Sequence, residues 1–128
     1  MIYGIGTDIV ELSRVKETYS RFGEKFTKKL LMPEEQFLYA KSKNPVRFLA
    51  MRFAAKEAIV KAMGTGFSNG IWIRDTGIIN NKLGKPLLIF SSRGQAVCNK
   101  LGIGESHISL SDEAGLILAF SIMMKIGV

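Results

Sequence analysis

Glu57 and Lys61 stand four residues apart in the stretch RFLAMRFAAKEAIVKAMGTG (47–66), which puts a carboxylate and an ammonium one helical turn apart. At 100° per residue they share a narrow stripe with Ala50, Ala54 and Gly64, residues too small to cover them. The stripe reads either as a floor for a ligand or as a simple Glu–Lys pair on a solvated face. A second acid, Asp8, lies in the alternating stretch IYGIGTDIV (2–10), where Gly4 and Gly6 share its face and leave space beside it. Asp8 is either a metal ligand at the end of a strand or a cap for the following turn. With only Cys98 and His107 available, a zinc site of thiolates or imidazoles cannot be built. The metal chemistry left is that of carboxylate oxygens, which suits Mg²⁺.

These residues need elements to hold them. The stretch 47–66 predicts one long helix, preceded by Pro45 and stopped by Gly64 and Gly66. Its apolar side chains fall into two arcs, with Arg52 and Lys56 near the edge of one, so the helix is buried on most of its circumference. Residues 2–10 predict a strand. Residues 11–31 predict a helix carrying Leu12, Val15, Tyr19, Phe22, Phe26 and Leu30 on one side and broken at Gly23. Its other side carries Arg14, Lys16, Arg21, Lys25, Lys28 and Lys29, either a solvated face or a docking surface. Pro33, Glu34 and Glu35 start a further short helix.

After Gly66 the pattern changes to short strands at 70–75 and 77–80, a turn at 80–85 and a return strand from Pro86 to Phe90. Ser91 and Ser92 cap a helix that runs to Leu101 and closes on Gly102. Residues 105–112 alternate, with His107, Ser109 and Ser111 on one face. The last strand, 116–126, is apolar on both faces, so its second cover is expected from another subunit. The order strand, helices, antiparallel meander is an α+β fold with a long central helix packed on an antiparallel sheet, in a single domain of residues 1–128. There is no GxGxxG after the first strand and no phosphate-binding GxxxxGK loop, which disfavours parallel-sheet nucleotide folds.

The chain carries 18 Lys+Arg against 11 Asp+Glu, a formal charge of +7, which suits a partner rich in phosphate or carboxylate. A non-enzymatic module for nucleic acid or nucleotide is one such reading. Against it, the aromatic residues follow core periodicity, and Asp8 and Glu57 repel phosphate unless a metal intervenes. The lone cysteine fits a reducing compartment. Asp8 and Glu11 interrupt the apolar opening, and the longest apolar run is too short to span a bilayer, so a soluble cytoplasmic protein is expected, without membrane or nucleic acid as partner.

Two stretches together go beyond local pattern. Gly4-Ile-Gly-Thr-Asp-Ile-Val-Glu-Leu and Arg52-Phe-Ala-Ala-Lys-Glu-Ala-Ile-Val-Lys-Ala-Met-Gly-Thr-Gly resemble the bacterial holo-(acyl-carrier-protein) synthases, the short AcpS-type branch of the 4′-phosphopantetheinyl transferases. Gly84-Lys-Pro and His107-Ile-Ser-Leu-Ser match as well, in order and spacing. Position 112 departs from the pattern: many relatives have His where this chain has Asp112, so a His-based role there does not carry over.

The resemblance implies transfer of 4′-phosphopantetheine from coenzyme A to a serine of an apo-acyl carrier protein, with release of adenosine 3′,5′-bisphosphate. It further implies Mg²⁺, a place in fatty acid biosynthesis and lipid metabolism, and a homotrimer with sites between subunits. On that resemblance Asp8 and Glu57 hold the metal, while Glu57 and Lys61 are catalytic. Coenzyme A is held by Arg52, Lys61, Gly64, Lys85, Pro86, His107 and Ser109. Phosphoryl transfer asks for these residue types, because negative charge on the pyrophosphate oxygens must be stabilised. The family's acidic carriers would dock on the basic helix after Asp8, with Arg14 and then Arg21 as anchors.

Overall fold

The structure is a computed structural model and describes residues 1–127. Its organising contact is a strand laid directly on a helix. The strand β1 (Ile2–Glu11) runs against the helix α4 (Pro45–Met63), and two glycines make the approach possible. A Cβ on Gly6 would lie 2.1 Å from the Ala58 carbonyl oxygen, and one on Gly4 would lie 2.0 Å from that of Ala62. Only hydrogen fits there. The room expected beside Asp8 is therefore taken up by helix backbone, and the glycines serve the packing of β1 on α4.

Helix α4 begins two residues earlier than the apolar pattern suggests. The Asn44 side chain accepts the Arg47 N–H at 3.1 Å, and Pro45 takes the first helical position, where its missing N–H is no loss. Gly64, at φ 79°, ends the helix. Leu49, Ala50, Ala54, Ala55, Ala58, Ile59 and Val60 are buried, at about 1.5–3 kcal/mol for each large side chain. Burial of Ala50 and Ala54 corrects the expected ligand floor, because only its C-terminal half, from Glu57 on, reaches the surface. Lys56, expected at an edge, is wholly buried beside Glu35.

The main sheet is antiparallel in the order β1–β5–β4, with β4 spanning Ile103–Glu113 and β5 Leu116–Lys125. Its register puts Asp8, Ala119 and Leu110 in one row and Gly6, Ser121 and Ile108 in another, both facing α4. Ile117, Ala119 and Met123 are buried on this face. The opposite face carries Ile5, Ile9, Leu118 and Phe120, each between 37% and 61% exposed. The final strand is thus apolar on both sides, as its sequence predicts, and the chain itself covers only one.

Around this core lie α1 (Leu12–Phe22), α2 (Glu24–Leu30) and α3 (Pro33–Tyr39), with the predicted break at Gly23. Phe22, expected inside, is exposed. A hairpin of β2 (Thr76–Asn80) and β3 (Pro86–Phe90) precedes α5 (Ser92–Leu101), which starts on the Ser91 cap. The strand expected at 70–75 is not formed; residues Ile73–Asp75 make a short 3₁₀ turn. Asp75 explains it. Its carboxylate accepts the Trp72 N–H at 2.7 Å, the Ser91 hydroxyl at 2.7 Å and the Arg93 Nε–H at 2.9 Å, closing the backbone into a turn. The arrangement is the α+β fold read from the sequence.

Candidate active site

Asp8 and Glu57 come from different elements and meet on one cleft. Asp8 lies on the β1 face turned toward α4, two residues along from Gly6, and Glu57 lies on α4 one residue before Ala58, whose carbonyl meets Gly6. The glycine contact therefore sets how close the two carboxylates sit. They line a cleft of about 650 Å³ together with Arg14, Phe26, Phe53 and Leu116. Burial pushes the Glu57 carboxyl above the usual carboxylate range; the charge of Asp8 adds to this, and Lys61 opposes it. Glu57 thus feels the negative charge of its neighbour, which is the signature of a place that favours a cation.

Lys61 does not pair with Glu57 along the helix. Its Nζ crosses to β1 and donates to Asp8 Oδ1 at 3.1 Å and to the Thr7 carbonyl at 3.0 Å. The side chain is 52% exposed, so the ammonium remains open to a ligand. Among the described residues no group of three or more His, Cys, Asp or Glu side chains gathers to hold a metal. Two carboxylates alone fit a cation that keeps its waters and takes further oxygens from a phosphate, which is the habit of Mg²⁺. Arg14 sits on the same cleft, whereas Arg21 lies two turns further along α1, about 10 Å away by helical rise, over the Phe22 ring.

The other candidates form a second group. Lys85, Pro86 and Ser109 line a cleft of about 450 Å³ at the tip of the β2–β3 hairpin. Beside it a recess of about 280 Å³ is lined by Arg47, Arg52, Asn80 and Gly84. Arg52 is only 8% exposed; its Nη2 donates to the Ile78 carbonyl at 3.2 Å, and the guanidinium stacks 3.8 Å over Phe48. Burial holds the Arg52 pKa below its usual value; the nearby Glu35 charge opposes this only in part, and the Arg47 charge adds to it. His107 is exposed on the outer sheet face, with Nε2 3.5 Å from a Glu105 oxygen. Gly64 stands exposed at the end of α4. Asp112 is engaged by Arg47, whose Nε–H donates to its Oδ2. The cleft lined by Asp8 and Glu57 is separate from the one lined by Lys85, Pro86 and Ser109.

Sequence reasoning left two buried acids unassigned, Asp75 and Glu35. Glu35 looks like a routine first-turn acid after Pro33, yet it is 0% exposed and bonded on every side. No local signal distinguishes it, because its partners Lys56 and Ile78 are distant in the chain.

A family model for the 4′-phosphopantetheinyl transferase superfamily matches residues 4–118. The chain is 46% identical over 125 residues to the holo-(acyl-carrier-protein) synthase of Nitrosospira multiformis, covering 98% of this chain and 100% of the relative. It is similar to the crystal structure of that synthase from Neisseria meningitidis, with TM-score 0.94, 42% identity and coverage of 98% and 100%. A synthase from Bacillus anthracis, solved in complex with CoA (3′,5′-ADP), matches with TM-score 0.81, 32% identity and 99% of both chains.

Proposed function

The chain belongs to the 4′-phosphopantetheinyl transferase superfamily, among its holo-(acyl-carrier-protein) synthases, and we propose that it transfers 4′-phosphopantetheine from coenzyme A to a serine of an apo-acyl carrier protein with the help of Mg²⁺. The observation that carries the metal-dependent reading is the meeting of Asp8 and Glu57 on one cleft, with Lys61 bridging to Asp8. In the transfer the serine oxygen bonds to the β-phosphorus of coenzyme A. The bond from that phosphorus to the oxygen of the leaving adenosine 3′,5′-bisphosphate breaks, and the serine proton departs. Glu57, whose affinity for protons is raised, orients the group that takes this proton. Lys61 offsets charge on the phosphate oxygens. Asp8 and Glu57 would hold Mg²⁺, which would supply further charge neutralisation on the pyrophosphate.

Coenzyme A would extend from this pair to the second group, Arg52, Gly84, Lys85, Pro86, His107 and Ser109, with Gly64 giving its backbone close approach. Two features support their coming from a neighbouring subunit. The groups line separate clefts within one chain. His107 and Ser109 also stand in the rows that carry Ile122 and Phe120 on the uncovered sheet face. We read the assembly as a homotrimer closing that face, with the chain as a single domain of residues 1–128 acting in the cytoplasm in fatty acid biosynthesis. No helix among the described residues is long and apolar enough to cross a membrane.

The test is incubation with coenzyme A, Mg²⁺ and an apo-carrier. A gain of one phosphopantetheine in carrier mass is expected, and its absence refutes the activity. Asp8→Ala and Glu57→Ala should stay folded and transfer little. Near-normal rates at limiting Mg²⁺ would remove the variant residue from the metal site.

A further inference from the structure

Glu35 opens α3 at the third helical position, and its Oε1 accepts the Met32 N–H at 3.0 Å, as a first-turn acid does. A cap needs only that oxygen and is normally in water. Here the whole side chain is buried, which is unfavourable for a carboxylate unless every lone pair is used. Oε1 also takes the Lys56 Nζ at 2.5 Å; the same ammonium donates to the Leu30 carbonyl at 2.5 Å. Lys56 therefore balances the charge and ties α4 to the end of α2. The second oxygen points elsewhere. Oε2 accepts the Ile78 N–H of β2 at 3.0 Å and lies 3.8 Å from Arg52 Nε. That Nε, itself buried, has no hydrogen-bond partner among the described residues.

Ile78 is consequently gripped twice. Its N–H goes to Glu35, and its carbonyl accepts Arg52 Nη2 at 3.2 Å. Asn80 Oδ1 lies 3.4 Å from the same Nη2, and Asn80 Nδ2 donates to the Gly84 carbonyl at 3.0 Å. A polar chain thus runs from Glu35 through Arg52 and Asn80 to the turn that carries Lys85. Gly77 lets β2 come this close, since a Cβ there would sit 2.6 Å from the Met32 sulfur and 3.2 Å from Glu35 Oε1.

We propose that Glu35 is a positioning residue for coenzyme A binding: it aims the Arg52 guanidinium into the recess beside Lys85, where an anionic phosphate of the nucleotide end is held. It touches no ligand itself. Its charge sets the direction of Arg52 Nε, and its bond to Ile78 sets the distance of the hairpin from α4. This rests on the reading that Arg52 and Lys85 take the nucleotide end, so the test addresses both separately.

Four variants are compared with the parent: Arg52→Ala, Glu35→Gln, the double change Glu35→Gln with Lys56→Met, and that double change with Arg52→Ala added. The double change removes the Glu35 and Lys56 charges together, so that Arg52 is the one charge left in this buried cluster, and its folding is checked by its thermal melt. Its apparent KM for coenzyme A should rise about tenfold, the size expected when a charged hydrogen-bonding group is misaligned. Calorimetry with adenosine 3′,5′-bisphosphate should show a loss of similar factor, while kcat and the KM for the carrier stay near parental values. Glu35→Gln alone, if folded, should show the same split. Adding Arg52→Ala to the double change should bring little further loss, because both act through one guanidinium. Should Arg52→Ala weaken coenzyme A and the bisphosphate while folded Glu35 variants bind both normally, the positioning role is refuted. A fall in kcat with unchanged KM would refute it too. Normal coenzyme A binding by Arg52→Ala would instead overturn the assignment of this recess to the nucleotide end.

Discussion

Gly6→Ala is a sharp test of how the site is held, because it adds one methyl group outside the cleft. The new Cβ would lie 2.1 Å from the Ala58 carbonyl oxygen and 2.6 Å from the Ala62 nitrogen. Both are backbone atoms of α4, so no side chain can swing away. Reaching ordinary contact requires the strand and helix to separate by about 1.3 Å, an overpacking strain of roughly 1–3 kcal/mol or more. With about 2.1 cal/mol/K of unfolding entropy per residue over 128 residues, that is a fall in Tm of about 4–11 °C. The separation opens between Asp8 and Glu57, one residue from the clash on α4. A displacement near 1 Å at reacting groups lowers rates by about 10²-fold. Calorimetric melts and transfer assays across a Mg²⁺ titration measure the two effects. A folded variant with parental Tm, parental rate and parental Mg²⁺ dependence would refute the claim that the Gly6–Ala58 contact sets the carboxylate pair.

Further outcomes follow from other parts of the structure. Leu118→Glu puts a charge at the centre of the uncovered sheet face and should reduce the solution mass from about three chains to one, with loss of transfer; an active trimer would exclude this face as the interface. Arg14→Glu should raise the apparent KM for the carrier strongly and leave that for coenzyme A nearly unchanged, and added salt should weaken carrier binding more in the parent than in the variant. At Asp75, burial pushes the carboxyl up, but the Ser91 hydroxyl, the Trp72 N–H and Arg93 outweigh it and hold the pKa below the usual value. That stabilisation is fully present above the ordinary carboxylate range, near pH 3.9, and is lost as pH falls through the lower folded value. Asp75→Asn should therefore lower stability at neutral pH and flatten its decline in acid, as followed by denaturant melts between pH 7 and 2.

Much of the fold is local in origin and so was legible in the sequence. The 3.6 period of 47–66, the Gly23 break, the Ser91 cap and the alternation at 105–112 each act over a few residues, and each appears where expected. The acids and Lys61 were legible as types with the right spacing, and the family pattern joined them. Three things depended on tertiary contact. The glycines of β1 look like empty space in a strand, but α4 fills it, and that approach brings Asp8 to Glu57. Lys61 has Glu57 four residues away and yet pairs with Asp8, because burying β1 on α4 offers it a carboxylate and a carbonyl together. Glu35 looks like a first-turn acid and Lys56 like a charge at the edge of an apolar arc; only the packing of α2, α3 and β2 around the end of the Lys56 side chain makes them a buried pair, since a charge can leave water there only when its partner arrives with it. Spacing along the chain thus determined which groups could do chemistry, and the packing of a strand, a helix and a hairpin decided which of them meet.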